Sequence, residues 1–148
     1  MSLPLQDMLA AGAAECSALV INAVLAIVDE RGALAAYLRM DGAFFVSEEL
    51  AVDKAWTAAG FRTPTTDIQV LFDGAAPEIA EGVLSRRRIS LVPGGLPLMD
   101  GHRLLGGVGV SGGSASFWQP FVQRMPALLR QRCRGFGGLH LDPLRLAG

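Results

Sequence analysis

The chain of 148 residues is poor in the residue types that most often carry chemistry. It has two cysteines, Cys16 and Cys133, too far apart for a CxxC redox pair or a zinc ligand set. It has two histidines, His102 and His140, and no cluster of His, Cys, Asp and Glu has a spacing that suits a metal ion. The formal net charge is only −1, which argues against nucleic acid as the main partner. The apolar stretch from Met8 to Val28 is interrupted by Glu15 and Asn22, and no Lys or Arg precedes it. A secretory signal needs a positive lead, and a spanning helix would place Glu15 in hydrocarbon at several kcal/mol. These absences together lead to the expectation of a cytoplasmic protein with no membrane partner.

Apolar residues are what the chain has in plenty: they make up 51% of it, and the mean hydropathy is +0.36. A chain of this length forms one domain with a substantial core and needs no disulfide or metal to hold it. The remaining apolar surface is expected to lie between subunits, so a homo-oligomer is expected. Charge is unevenly placed. Residues 1–119 carry 8 basic and 13 acidic side chains, whereas residues 120–148 carry five arginines and only Asp142. The second stretch reads as an arginine-rich helix or tail appended to the main domain, solvated like the run Arg86-Arg87-Arg88.

Glycine is concentrated in one place. Residues 92–113 hold eight of the 18 glycines and two of the eight prolines. Asp100-Gly101 signals a hairpin turn, because glycine reaches positive φ without a Cβ clash. Pro93-Gly94-Gly95 and Ser111-Gly112-Gly113 bracket that hairpin, and glycine grouped in this way marks close approach of another segment or of a ligand. Two motif matches inside it fail on context. Gly107 to Gly112 fits GxGxxG, yet no carboxylate stands about 20 residues on, where a dinucleotide site needs one. Gly109 to Gly113 fits GxSxG, yet His140 precedes Asp142, the reverse of the order a nucleophile elbow needs.

The coarse pattern is helix, hairpin, helices, three strands, helix. Apolar spacing predicts a helix from Leu3 to about Ala18, a buried strand over 23–28 and its partner over 33–40. Ser47 is the expected N-cap of a helix reaching about Ala59, with Glu48 and Glu49 in its first turn and Gly60 at its end. Leu50, Lys54 and Thr57 share a face of that helix. Thr65 or Thr66 caps a short helix through Phe72, and another runs from Glu78 to Leu84. Strands follow over 89–92, 96–99 and 103–110. Tight turns between adjacent strands predict α+β, an antiparallel sheet of about five strands flanked by helices.

Three stretches together resemble the GlcG/HbpS family of haem-degrading-type domains. They are Ala26-Ile-Val-Asp-Glu-Arg-Gly-Ala-Leu34 continuing through Tyr37 to Ala43, Asp53-Lys-Ala-Trp-Thr-Ala58 with Arg62-Thr-Pro64, and Pro93-Gly-Gly-Leu-Pro-Leu98 leading to Gly106 through Gly113. Order and spacing agree over about residues 5–115, and the divergence beyond them sets the 1–119 domain apart from the 120–148 tail. The resemblance implies a profilin-like α+β domain, assembly into oligomers and a small-molecule ligand, haem or a related tetrapyrrole. It also implies a ligand site at Arg39, Met40, Asp41, Lys54, Pro93, Gly94, Gly95, Ser111, Gly112 and Gly113. Arg39 and Lys54 would pair with carboxylates, and an ion pair from Lys54 to Asp41 or Asp53 is the structural alternative. His102 is a candidate haem ligand, with Met40 and Cys133 as others and Met99 as a further soft donor. A second reading makes the chain an enzyme, or an enzyme's accessory, acting on a small carboxylated metabolite, with Lys54 or Asp41 as acid or base.

Overall fold

A computed structural model describes residues 3–113 and the backbone of Leu139–His140. Helix α1 (Leu5–Ala18) leads into β1 (Val24–Asp29) and β2 (Leu34–Arg39), and α2 (Val46–Phe61) follows. A 3-10 turn (Thr65–Asp67), α3 (Ile68–Leu71) and α4 (Pro77–Leu84) then lead to β3 (Gly95–Asp100) and β4 (Arg103–Ser111). Leu139–His140 forms the short β5. The strands make one antiparallel sheet in the order β2-β1-β4-β3-β5. The α+β expectation holds, with four substantial strands and a two-residue fifth.

Both faces of the sheet are covered, and the sequence of β1 shows why. Leu25 and Ile27 point into a large core with Met8, Ala11 and Cys16 of α1, joined by Leu96, Leu98, Leu105, Val108 and Val110. Val24, Ala26 and Val28 point the other way, onto Ala51, Ala55 and Ala59 of α2. A strand packed on both faces reads as an unbroken apolar run, which is how β1 reads.

The α2 face is built of small residues so that the helix can lie almost on the backbone of the sheet. A Cβ at Gly109 would stand 2.0 Å from the Ala51 carbonyl oxygen, one at Gly107 would stand 2.4 Å from that of Ala55, and one at Gly95 would stand 2.5 Å from that of Lys54. Two of the three glycines that imitate a dinucleotide motif, Gly107 and Gly109, are therefore helix-packing positions on a strand.

Several local expectations need correction. Residues 89–92 form no strand: the Arg88 carbonyl accepts a hydrogen bond from Thr57 Oγ1 (2.9 Å) and the Ser90 N–H donates to the same oxygen (3.0 Å), so this stretch is tied to α2. Ser47 does not cap α2. The helix begins two residues earlier, with Phe45 at the cap position and Val46 its first residue, there is no side-chain cap, and Ser47 is buried in its first turn. Its end lies beyond Gly60, where Arg62 takes the left-handed conformation at φ +52°. On the Leu50–Lys54–Thr57 face, Lys54 and Thr57 are buried but Leu50 is exposed. Thr65 Oγ1 accepts from the Gly95 N–H at 3.1 Å, and neither it nor Thr66 caps a helix through its side chain. Arg88 is not simply solvated: its guanidinium lies 4.5 Å from the centroid of the Trp56 ring and 3.5 Å from Asp53. The arginine-rich tail otherwise lies outside the described residues, as does Cys133.

Candidate functional site

Antiparallel register brings the expected site residues to one end of the sheet. Val24 at the start of β1 pairs with Arg39 at the end of β2 and with Ser111 at the end of β4. The Met40 N–H donates to the Ala23 carbonyl at 2.9 Å, which fixes the departure of the Met40–Asp41 segment from the same edge. Gly94, just before β3, accepts from the Val110 N–H at 2.9 Å, so Pro93, Gly94 and Gly95 join this end as well. Gly112 packs where a Cβ would lie 2.6 Å from the Asn22 carbonyl oxygen, and Gly42 where one would lie 2.9 Å from the Asn22 side-chain amide. Asn22 thus links the loop after β2 with the loop after β4. It gives no sequence signal beyond ending a helix.

The two cations at this end differ sharply. Arg39 is half-exposed and reaches Glu48 at 3.8 Å, and Glu48 also accepts a hydrogen bond from the Tyr37 hydroxyl. Partial desolvation at the sheet edge, then the hydrogen bond to Glu48 and its charge, push the Tyr37 hydroxyl up to about 12. Lys54, the only lysine of the chain, is 1% exposed, and its Nζ donates to the Val110 carbonyl at 3.0 Å. Desolvation brings its amine down to about 8. No ion pair from Lys54 to Asp41 or Asp53 is formed; Asp53 instead pairs with Arg88. Lys54 is thus a buried strut in this geometry, while Arg39 is the cation that solvent reaches. Asp41 is exposed.

The loop carrying Asp41 continues into Phe44, Phe45 and Val46, which are 78%, 79% and 60% exposed. Three consecutive bare apolar side chains are unusual for a solvated surface. The site end therefore offers an apolar patch, a guanidinium and glycine-lined backbone.

His102 lies elsewhere. It sits in the β3–β4 turn, where its carbonyl accepts from Arg62 at 3.3 Å, at the other end of α2. The length of β4 separates it from Ser111, roughly 26 Å at about 3.3 Å per residue. Met99, one residue before the end of β3, shares that distant end. Met40 is at the site end but is partly buried against the α1-side core. Among the described residues there is no group of three His, Cys, Asp or Glu that could hold a metal ion, and no helix is long and apolar enough to cross a membrane.

A profile of the haem-degrading HbpS-like proteins matches residues 5–117. The chain belongs to the HbpS-like family. It is 36% identical over 106 residues to an uncharacterised 15.0 kDa protein from the dhaT-dhaS intergenic region of Citrobacter freundii, covering 70% of this chain and 75% of that one. It is 39% identical over 97 residues to the corrinoid adenosyltransferase PduO of Salmonella typhimurium, covering 65% of this chain but only 29% of PduO. The activity in that name is a statement about the longer protein. Among solved structures, a PduOC–haem complex superposes with a TM-score of 0.74 at 32% identity, over 86% of this chain and 95% of that one. The HbpS-like match covers α1 through β4, so all of the residues at the site end fall within it.

Proposed function

We propose that this HbpS-like protein is a self-associating ligand-binding domain whose ligand is largely apolar and carries a carboxylate, with haem or a related tetrapyrrole the first candidate. The observation that carries the reading is the convergence of Arg39, the bare Phe44–Phe45 pair and the Gly94 and Ser111–Gly113 backbone at one end of the sheet. A guanidinium suits a propionate, and aromatic faces suit a macrocycle. The PduOC–haem complex, similar over most of this chain, supports the same choice.

Among the described residues, Arg39 and the Phe44–Phe45 pair suit the acidic groups and apolar faces of haem, whereas no candidate iron ligand stands with them. His102 is at the far end, and the Met40 side chain packs toward the core. The reading therefore rests on propionate and apolar contacts. Self-association is supported by the position of β2 at the edge of the described strands, where Leu34 and Tyr37 are exposed, and by the adjoining Phe44, Phe45, Val46 and Leu50.

The test is a haemin titration of the purified chain, followed by absorbance with light scattering on the same sample. A saturable, stoichiometric Soret change that weakens in Arg39→Ala supports the reading. Weak, non-saturating binding removes haem from it.

A further inference from the structure

The start of β3 contains a substitution of hydrogen-bond donors. The β3–β4 register places Gly94 opposite Val110, one step beyond the Gly95–Gly109 pair. The Val110 N–H donates to the Gly94 carbonyl at 2.9 Å. In such an antiparallel pair the reciprocal bond, from the Gly94 N–H to the Val110 carbonyl, normally closes the ring. It is not made here. The Val110 carbonyl accepts from Lys54 Nζ at 3.0 Å instead, and Gly94, at φ +125°, turns out of the ladder.

The Gly94 amide is thereby released. Gly94 is buried, yet among the described residues its N–H has no acceptor. The next amide, that of Gly95, is taken by Thr65 Oγ1. A buried backbone donor without an acceptor is rare, because it forfeits its hydration for nothing unless something else supplies the oxygen. Only glycine permits the arrangement, since a Cβ at position 94 would lie 2.5 Å from the Val110 oxygen.

We propose that the Gly94 N–H is a binding donor for a ligand carboxylate, and that Lys54 is the positioning residue that keeps it available by occupying the Val110 carbonyl. The proposal rests on the reading that the ligand sits at this end of the sheet. A buried N–H donor suits a carboxylate better than a neutral acceptor, while Arg39, three strand spacings or roughly 14 Å across the same sheet end, is placed for a second acidic group of the ligand. That carboxylate can belong to a tetrapyrrole propionate or to a free small acid.

The experiment follows the Gly94 amide resonance of the 15N-labelled full chain during titration with gallium protoporphyrin IX, with its dimethyl ester and with sodium propionate. A downfield shift with the porphyrin and none with the ester supports the proposal and assigns the propionate. A shift with sodium propionate alone supports the carboxylate donor and removes the tetrapyrrole from the reading above. No shift with any probe, or an equal shift with the ester, overturns the proposal. In Lys54→Met the Val110 oxygen is left for Gly94, so exchange of the Gly94 amide with deuterium slows, and the bound probe is held about ten-fold or more weakly. Unchanged Gly94 exchange in that variant refutes the role of Lys54. The wild-type titrations stand even if the variant does not fold.

Discussion

Gly109→Ala is the most demanding test of how α2 is seated. The added methyl would lie 2.0 Å from the Ala51 carbonyl oxygen and 2.7 Å from the Ala55 nitrogen, both of them backbone atoms that no rotamer change can move. Restoring an ordinary contact near 3.4 Å requires α2 to withdraw locally by roughly 1.4 Å. That withdrawal opens the layer in which Val24, Ala26 and Ala51 are fully buried. Overpacking against soft side chains costs about 1–3 kcal/mol, and a backbone neighbour puts this site at the upper end or beyond, about 3–4 kcal/mol. At this chain length such a loss lowers Tm by roughly 10 °C. Urea and thermal denaturation followed by circular dichroism measure it. A loss below about 1 kcal/mol would mean that α2 slides freely over β4, and the packing account of the glycine-rich strand would fail.

The same logic predicts opposite signs elsewhere. Gly60→Ala, in the last turn of α2 with nothing within 4 Å of the new methyl, is expected to raise stability by about 0.5–1 kcal/mol, read from the urea midpoint. For Lys54, the folded amine titrates at about 8 against an ordinary 10.5, so the unfolded chain binds this proton more tightly. The burial penalty is then fully present below about pH 8 and is relieved as pH rises toward 10.5. Wild type should accordingly gain on Lys54→Met by roughly 3 kcal/mol across that window, and parallel stability profiles would refute it. Cys16, its thiol pushed up to about 11 by burial, should resist a disulfide reagent at pH 8 in a Cys133→Ser background until the protein unfolds. Phe45→Glu, at a residue 79% exposed, should leave the urea midpoint within about 0.5 kcal/mol while lowering the mass seen by light scattering.

The parts of the fold legible in the sequence were those governed by local periodicity. The helices, the first hairpin and the α+β class all follow from apolar spacing and turn residues, and the β3–β4 turn falls one residue from the expected place because Asp100 still pairs with Arg103. What failed was set by long-range partners. Residues 89–92 read as a strand by composition, but one hydroxyl, on Thr57 in a helix more than 30 residues earlier, claims the backbone on both sides of Ile89. Ser47 has the chemistry of a cap and is buried instead, since the chain turns into the helix two residues sooner.

The site was legible as a set of residues but not as a division of labour. Arg39 and Lys54 are both cations at the right sheet end, and neither composition nor spacing tells which of them solvent reaches. Packing decides it: α2 lies so close to the glycine-lined strands that Lys54, one residue from Asp53 on the rim, is sealed beneath the helix. There its amine acts on the backbone of β4, while Arg39, on an edge strand, stays half-exposed. The glycines that admit the helix and the glycine that releases an amide therefore belong to one design. Close seating of α2 is what carries the Lys54 ammonium to Val110, so a substitution that lifts the helix, such as Gly109→Ala, should also return the Gly94 amide to the ladder.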